Sequence, residues 1–337
     1  MWYEDVIMLQ RAMEFVLARQ GSDGLWRDFL TLAGEASDWP TGFVGEQLAT
    51  AEAPLEPLER AARRLVSTQH DDGGWGYHSG VPTDADSTAW VLLFLRSLGR
   101  RGRPVERAAA CLARHQDPES GGIATYREAA PIRRFMGLEQ STDLSGWCSA
   151  HLEVTATAGR AFAALGGHFR DRAEAAWRYV RSRQARDGSW SSYWWTSPHY
   201  PTLQAATLAA TVNDQEALRR AVAWAGRQPG CAAERSGHAE PTAFALAATL
   251  ALLTYGRRCS PKIHHVTRQL GSLQEADGSW PRRPVLRIPP PHLKEPDASV
   301  AWRRDALGAG VVIADQHGIF TTAACIAALS LGTRQCR

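Results

Sequence analysis

Gln184-Ala-Arg-Asp-Gly-Ser-Trp190 places a glutamine, an Asp-Gly turn and a tryptophan within seven residues, and the chain repeats the pattern. Gln20 leads to Trp26, Gln69 to Trp75 and Gln274 to Trp280, with Asp-Gly or Gly-Gly just before each ring. Weaker copies stand at Gln116, with Gly121 and Gly122, and at Gln228, with Gly230. The six glutamines recur every 44 to 49 residues, apart from one longer interval between 116 and 184. A repeated unit of this size decides architecture before any other signal does.

Each unit carries two helical patterns. The segment before the glutamine, such as Leu55–Thr68 or Arg170–Arg183, is charged along one face and reads as an amphipathic outer helix. The segment after the tryptophan is small and apolar throughout, as in Thr88–Leu98, Thr155–Leu165, Thr202–Val212, Thr242–Leu253 and Thr322–Leu331. Thr41–Thr50 is a poorer first member. A helix that is apolar all round is a buried one. Six buried and six amphipathic helices predict an all-α fold, a closed (α/α)6 barrel of two concentric helix rings. An open solenoid would need polar capping repeats at both ends, and the last helix here is as apolar as the middle ones. Six pairs use the whole chain, so one domain is expected over residues 1–337. The proline-rich stretch Pro281–Pro296 is expected to be a long loop, of the kind that could cover the barrel mouth.

Composition adds exclusions. A net charge of +3, from 38 basic and 35 acidic residues, is too small to argue for nucleic acid. Cys111, Cys148, Cys231, Cys259, Cys325 and Cys336 contain no CxxC pair. No signal-peptide plan opens the chain, and no apolar run approaches the roughly 18 residues of a membrane span. These features predict a cytoplasmic, reducing setting.

Each apolar segment begins at a threonine, expected to cap or open its helix. Two residues before those threonines stand Trp39, Asp86, Glu153, Tyr200, Glu240 and Phe320. Superposed repeats would put three acids and three aromatics at one level of the rim. Four residues before, Asp84, His151 and His238 join them. Acids at helix N-termini often only cap the helix or meet its dipole. Three acids and two histidines at equivalent positions among aromatic rings point beyond capping, to a functional site. The tryptophans of the repeat, in contrast, read as structural.

Glutamine–tryptophan repeats on an α/α barrel resemble the squalene–hopene cyclase and class II terpene cyclase superfamily. Pro82-Thr-Asp-Ala-Asp-Ser-Thr-Ala89 resembles the family's DxDDTA motif, and Asp187–Thr202 resembles a segment of bacterial class II diterpene cyclases. The resemblance implies a protonation-triggered cyclisation of an isoprenoid or related substrate, without a cofactor. It puts the general acid at Asp86 and the motif's first aspartate at Asp84; Glu153 and Glu240, from their rim positions, are further candidate acids. Trp39, Trp147, His151, Trp194, Trp195, Tyr200, His238 and Phe320 are then candidates to hold substrate, orient the acid or face a carbocation. Ser87 stands where the motif has its last aspartate. Family cyclases usually join two barrels, whereas this chain has one. Its cavity would be the barrel's own mouth, closed by the proline-rich loop, by a partner chain or in a dimer.

Other readings remain open at this level. The His and acid pairs of the rim could hold a divalent metal, as the related protein prenyltransferase β-subunits hold zinc, although their Asp-x-Cys pattern is absent. A non-catalytic binding scaffold, or a cyclase of a non-terpenoid substrate, would use the same barrel. Arg133, Arg134, Arg282, Arg283, Arg287, Arg303 and Arg304 could meet a diphosphate.

Overall fold

The computed structural model describes residues 2–231, 241–256, 259–296, 304–305 and 308–336. The outer helices are α1 (Trp2–Ala18), α3 (Leu55–Ser67), α5 (Arg103–Arg114), α8 (Arg170–Arg181), α10 (Gln215–Ala225) and α12 (Pro261–Leu273). They alternate along the chain with the inner helices α2 (Asp38–Thr50), α4 (Ala85–Ser97), α7 (Leu152–Leu165), α9 (His199–Thr211), α11 (Ala243–Thr254) and α13 (Ile319–Gln335). Each inner helix packs against the next, and α13 packs against α2, so the inner ring closes. This is the two-ring α/α barrel that the repeats predict.

Sequence dictates which helix goes where. In α3 the buried residues are Leu58, Ala61, Ala62 and Leu65, one stripe at helical spacing, while Arg60, Arg63 and Arg64 fill the other side. In α11 every residue from Ala243 to Leu253 is buried. A one-sided stripe suits the outer ring and an all-round apolar surface suits the inner one.

The repeated glutamine and tryptophan are the rivets. The Gln184 amide donates to Gly188 O (3.1 Å) in its own turn and to Ala217 O (3.0 Å) in the next outer helix. Trp190 is fully buried, and its indole donates to Val180 O (2.8 Å), ten residues back. Its backbone N–H donates to the Thr202 hydroxyl at 3.0 Å. The same four bonds recur around Gln20 and Trp26 with Thr41, and around Gln69 and Trp75 with Thr88. These threonines therefore do not start their helices. Helices α2, α4, α7, α9 and α13 begin about one turn earlier, and the hydroxyls of Thr41, Thr88, Thr155 and Thr202 instead hold the preceding turn. Thr242 does cap α11, accepting from Ala245 N at 3.1 Å. Gly188 has φ +98°, and a Cβ there would lie 2.3 Å from Arg220 O. Glycine is needed both for the backbone angle and for the close approach of the next helix.

Three connections exceed the plain repeat, and all meet at the N-terminal end of the inner ring. Strands β1 (Asp28–Thr31) and β2 (Gly34–Ala36) form a hairpin before α2. Helix α6 (Ala129–Met136) lies between α5 and α7, in the long interval between Gln116 and Gln184. Strands β3 (Pro284–Ile288) and β4 (Val311–Ala314) pair antiparallel between α12 and α13. Pro281–Pro296 is therefore not a loop throughout. Its Val285, Leu286 and Arg287 are buried, which gives the segment a reason to be a strand. Cys259 and Cys336, 77 residues apart, form a disulfide, while Cys111, Cys148, Cys231 and Cys325 are free. Barrel closure brings the end of α13 to the start of α12, a proximity that spacing along the chain hides. Among the described residues no helix is long and apolar enough to cross a membrane.

Candidate active site

The three connections and the N-terminal ends of α2 and α4 enclose a cavity of about 920 Å³ of empty space, counted to its open mouth. Thr31, Leu32 and Ala33 of the hairpin, Ile132 and Met136 of α6, and Leu286 and Ile288 of β3 form its apolar rim side. Trp39, Trp147, Trp194 and Trp195 face it, with Tyr77 and Tyr126. The acids on its wall are Asp84 and Asp86.

Asp84 is the N-cap of α4. Its carboxylate accepts from Ser87 N (2.7 Å) and from the Ser87 hydroxyl (2.6 Å), which uses the serine that replaces the motif's last aspartate. Burial raises its pKa to about 6 against those hydrogen bonds. Asp86 stands in the first turn of the same helix. Oδ2 accepts from the Trp39 indole N–H at 3.0 Å. Oδ1 is shut off from solvent and has no partner. Asp86 is half-buried and lines the cavity; with Oδ1 shut off, a ligand that reaches this carboxyl meets it at Oδ2. Burial first, then the charges of Asp84 and Glu153, push this carboxyl well above its ordinary range, and the Trp39 bond opposes them. Burial and both neighbouring acids thus favour the protonated form of Asp86.

Glu153, at the start of α7, does a different job. Oε1 accepts from the Ser192 hydroxyl (2.7 Å), Tyr193 N (2.8 Å) and Trp194 N (2.7 Å), and Oε2 is buried without a partner. It fixes the segment that carries Trp194 and Trp195, and it is not among the cavity-lining residues. Burial raises its pKa as well.

His151 does not orient Asp86. Its Nε2 lies 3.0 Å from Gly146 O, an obligate acceptor, so Nε2 carries the proton. Its Nδ1 then accepts from Thr125 Oγ1 (2.6 Å) and Trp194 Nε1 (3.2 Å). Burial lowers its pKa to about 3, and it stacks on Tyr193 at 3.8 Å. It is a neutral brace behind the wall. Tyr200 and Phe320 also lie behind the wall. Tyr200 stacks under Trp195 at 3.9 Å, and Phe320 packs against Trp39 at 5.2 Å and on Phe43 at 3.7 Å. Five of the six residues expected at one level, Trp39, Asp86, Glu153, Tyr200 and Phe320, do share the inner mouth of the barrel. Glu240 and His238 lie outside the described residues.

The donor set does not favour a metal at this rim. Both ring nitrogens of His151, both Asp84 oxygens and Glu153 Oε1 already have protein partners. Among the described residues, the three side chains whose ligand atoms converge are Cys259, His264 and Cys336, far from the rim acids in the chain and partly used in the disulfide. Of the arginines considered for a diphosphate, Arg287 donates to Tyr193 O (3.0 Å) and Ser192 O, and Arg133 donates to Thr142 O (3.0 Å). Sequence reasoning missed Tyr77, Tyr126, Ile132, Met136 and Leu286, which sit in connections outside the repeat. The long interval between Gln116 and Gln184 was the visible signal for Tyr126, Ile132 and Met136, and the proline-rich stretch was the one for Leu286.

A closed α/α barrel with a buried protonated carboxyl under an aromatic wall defines the terpene-cyclase type of barrel protein. Similarity to known proteins narrows this. No protein-family model matches the chain. It is 32% identical over 116 residues to the drimenyl diphosphate synthase of Streptomyces showdoensis, 34% of this chain and 20% of that protein. It is 30% identical over 203 residues to the labda-7,13-dienyl diphosphate synthase of Streptomyces clavuligerus, 57% of this chain and 32% of that protein. The matches thus span only a fifth to a third of those longer relatives. The type II terpene cyclase MstE of Scytonema, in complex with its substrate geranylgeranyl dihydroxybenzoate, superposes with a TM-score of 0.89 and 29% identity. That match covers 99% of this chain and 98% of the other. The chain belongs to the class II terpene cyclase family.

Proposed function

We propose that the chain cyclises an isoprenoid chain, alone or attached to a polar head, by protonating its terminal alkene or epoxide from Asp86. The observation that carries this is the Asp86 carboxyl on the wall of an aromatic cavity, its protonated form favoured by burial and neighbouring acids. The MstE complexes with substrate and with the product merosterolic acid A, and the two diphosphate synthases, support the substrate class.

The substrate chain lies in the cavity with its far end at Asp86. The alkene π pair takes the proton from the carboxyl, leaving a carboxylate and a tertiary carbocation. The next alkene attacks that cation and closes a ring, and the charge moves along the chain. The ring faces of Trp147, Trp194 and Trp195 stabilise it. The apolar rim keeps out water that would quench it. Loss of a proton from carbon ends the sequence, and Asp86 must then be reprotonated. No step requires a metal or cofactor. The barrel's own connections build the wall, so the proposal needs no partner chain. A cytoplasmic setting remains part of this reading. The Cys259–Cys336 pairing tests it: thiol titration of the protein as isolated from its host should find both thiols free if the setting is reducing, and both blocked would overturn it.

The test is incubation with farnesyl diphosphate, geranylgeranyl diphosphate, geranylgeranyl dihydroxybenzoate and squalene-type olefins or epoxides in D2O. A cyclic product is expected, with one deuterium at the initiating carbon from an olefin and a hydroxyl there from an epoxide. Asp86→Asn should lose at least about 10²-fold in turnover while staying folded. Full turnover by that variant on a confirmed substrate would end the assignment.

A further inference from the structure

Trp39 was expected to offer its ring face to a carbocation, but the structure uses its edge. The indole N–H meets Asp86 Oδ2 at 3.0 Å, and this is the carboxyl oxygen that can also meet a ligand. The ring cannot drift from this position. Phe29 and Phe320 lie against it with centroids at 5.3 and 5.2 Å, and Tyr77 stacks on its other flank at 6.2 Å. Trp39 itself is 5% exposed. The residue that holds the acid is thus anchored by the hairpin and by the start of α13, not by α4, which carries the acid.

An indole N–H can only donate. To a protonated, neutral carboxyl it gives an ordinary hydrogen bond. To the carboxylate left when the proton departs it gives a charge-assisted one, roughly twice as strong. The interaction therefore grows as the proton moves. An interaction that strengthens along the reaction lowers the barrier, whereas one of constant strength only improves binding. Among the described residues, no other hydrogen-bond donor to the Asp86 carboxyl is found. The neighbouring acids Asp84 and Glu153 act the opposite way, resisting the new negative charge.

We infer that Trp39 is a positioning residue for the acid: its N–H holds Oδ2 in the cavity wall and takes up the negative charge that proton transfer leaves there. This rests on the reading of Asp86 as the acid. Asp86 must be protonated to act, so activity is lost as pH rises through its titration. Removing the N–H destabilises the carboxylate, so the carboxyl becomes a weaker acid. The rate on the plateau falls, while the alkaline limb moves to higher pH. A mere packing role would lower the plateau and leave the limb in place.

The experiment replaces the indole at position 39 by benzothienylalanine, which keeps the ring and lacks the N–H, beside Trp39→Phe. Infrared difference spectra of the wild type against Asp86→Asn isolate the protonated-carboxyl band of Asp86, and its disappearance with rising pH is followed without any substrate. The band should persist to higher pH in the benzothienylalanine protein by about one pH unit. An unchanged titration overturns the role of Trp39 and leaves Asp86 as the acid. If the wild type has no Asp86-dependent band at neutral pH, Asp86 is ionised, and the proposed acid fails with it. Should benzothienylalanine block folding, Trp39→Phe carries the same comparison.

Discussion

The Gln274 side chain donates to the backbone carbonyl of Met8 at 2.9 Å, joining residues 266 apart in sequence. Every strong copy of the repeat makes this bond to the outer helix that follows it. For the last copy, the helix that follows is the first in the chain. The outer ring is closed by the same amide that links its consecutive members.

Gln274→Ala should therefore open a seam. It leaves Met8 O and Gly278 O without their donor, at a cost of about 1–3 kcal/mol. Gln228→Ala should cost under about 1 kcal/mol, because its amide donates to Trp224 O within its own helix end. Urea unfolding of both variants makes the comparison. Equal losses would mean that the seam bond adds nothing to closure.

Trp190→Ala removes a ring with no exposed surface and the bond to Val180 O. The expected loss is about 3–5 kcal/mol. Trp190 does not line the cavity, so the protein that remains folded should keep its turnover per molecule. A stable but inactive variant would place this tryptophan in the site.

Stability should fall as pH rises from about 4 to 7. Burial, first among the causes, raises Asp84 to about 6 and Asp315 to about 7, while unfolding returns both to about 3.9. In that window the folded chain holds protons that the unfolded chain has released, so stability declines with pH. The contribution is full below the unfolded pKa and gone once pH passes about 7. The melting temperature should drop between about pH 4 and 7. Asp315→Asn should flatten the drop, since an amide oxygen can still accept from Thr321 N. A melting temperature that holds steady or rises over this range contradicts the argument.

The sequence shows the barrel because each repeat must solve the same packing problem, and the solution leaves the same residues at the same spacing. It shows Asp86 because a motif and a repeat position coincide there. It does not show what lies between the repeats. Asp28 accepts from Ile319 N and Phe320 N and so anchors the start of α13 from the far end of the chain, yet it is a lone acid with no counterpart in other repeats. The strand at 284–288 is masked by its flanking prolines, and its burial comes from pairing with β4 and from Trp194 O, which accepts from Arg287 N. Glu153 looked equivalent to Asp86 because position alone was visible. Its three donors come from a turn some 40 residues later.

That difference yields the sharpest contrast between variants. Glu153 and Asp86 are buried acids at one level of the barrel, but Glu153 Oε1 is saturated by three donors and Oε2 has no partner. Glutamine keeps a carbonyl oxygen where Oε1 stands. Glu153→Gln should therefore retain the wall and also remove one of the charges facing Asp86, so turnover should stay within about threefold. Glu153→Ala leaves Tyr193 N and Trp194 N without an acceptor, at about 1–3 kcal/mol each, and frees the segment that carries Trp194 and Trp195. Its turnover should fall with its stability. Asp86→Asn should do the reverse, keeping the fold and losing at least about 10²-fold in rate. Melting curves and single-turnover rates on one confirmed substrate, measured for all three variants, separate the two roles. A folded Glu153→Gln as inactive as Asp86→Asn would move Glu153 from the wall into the proton transfer itself.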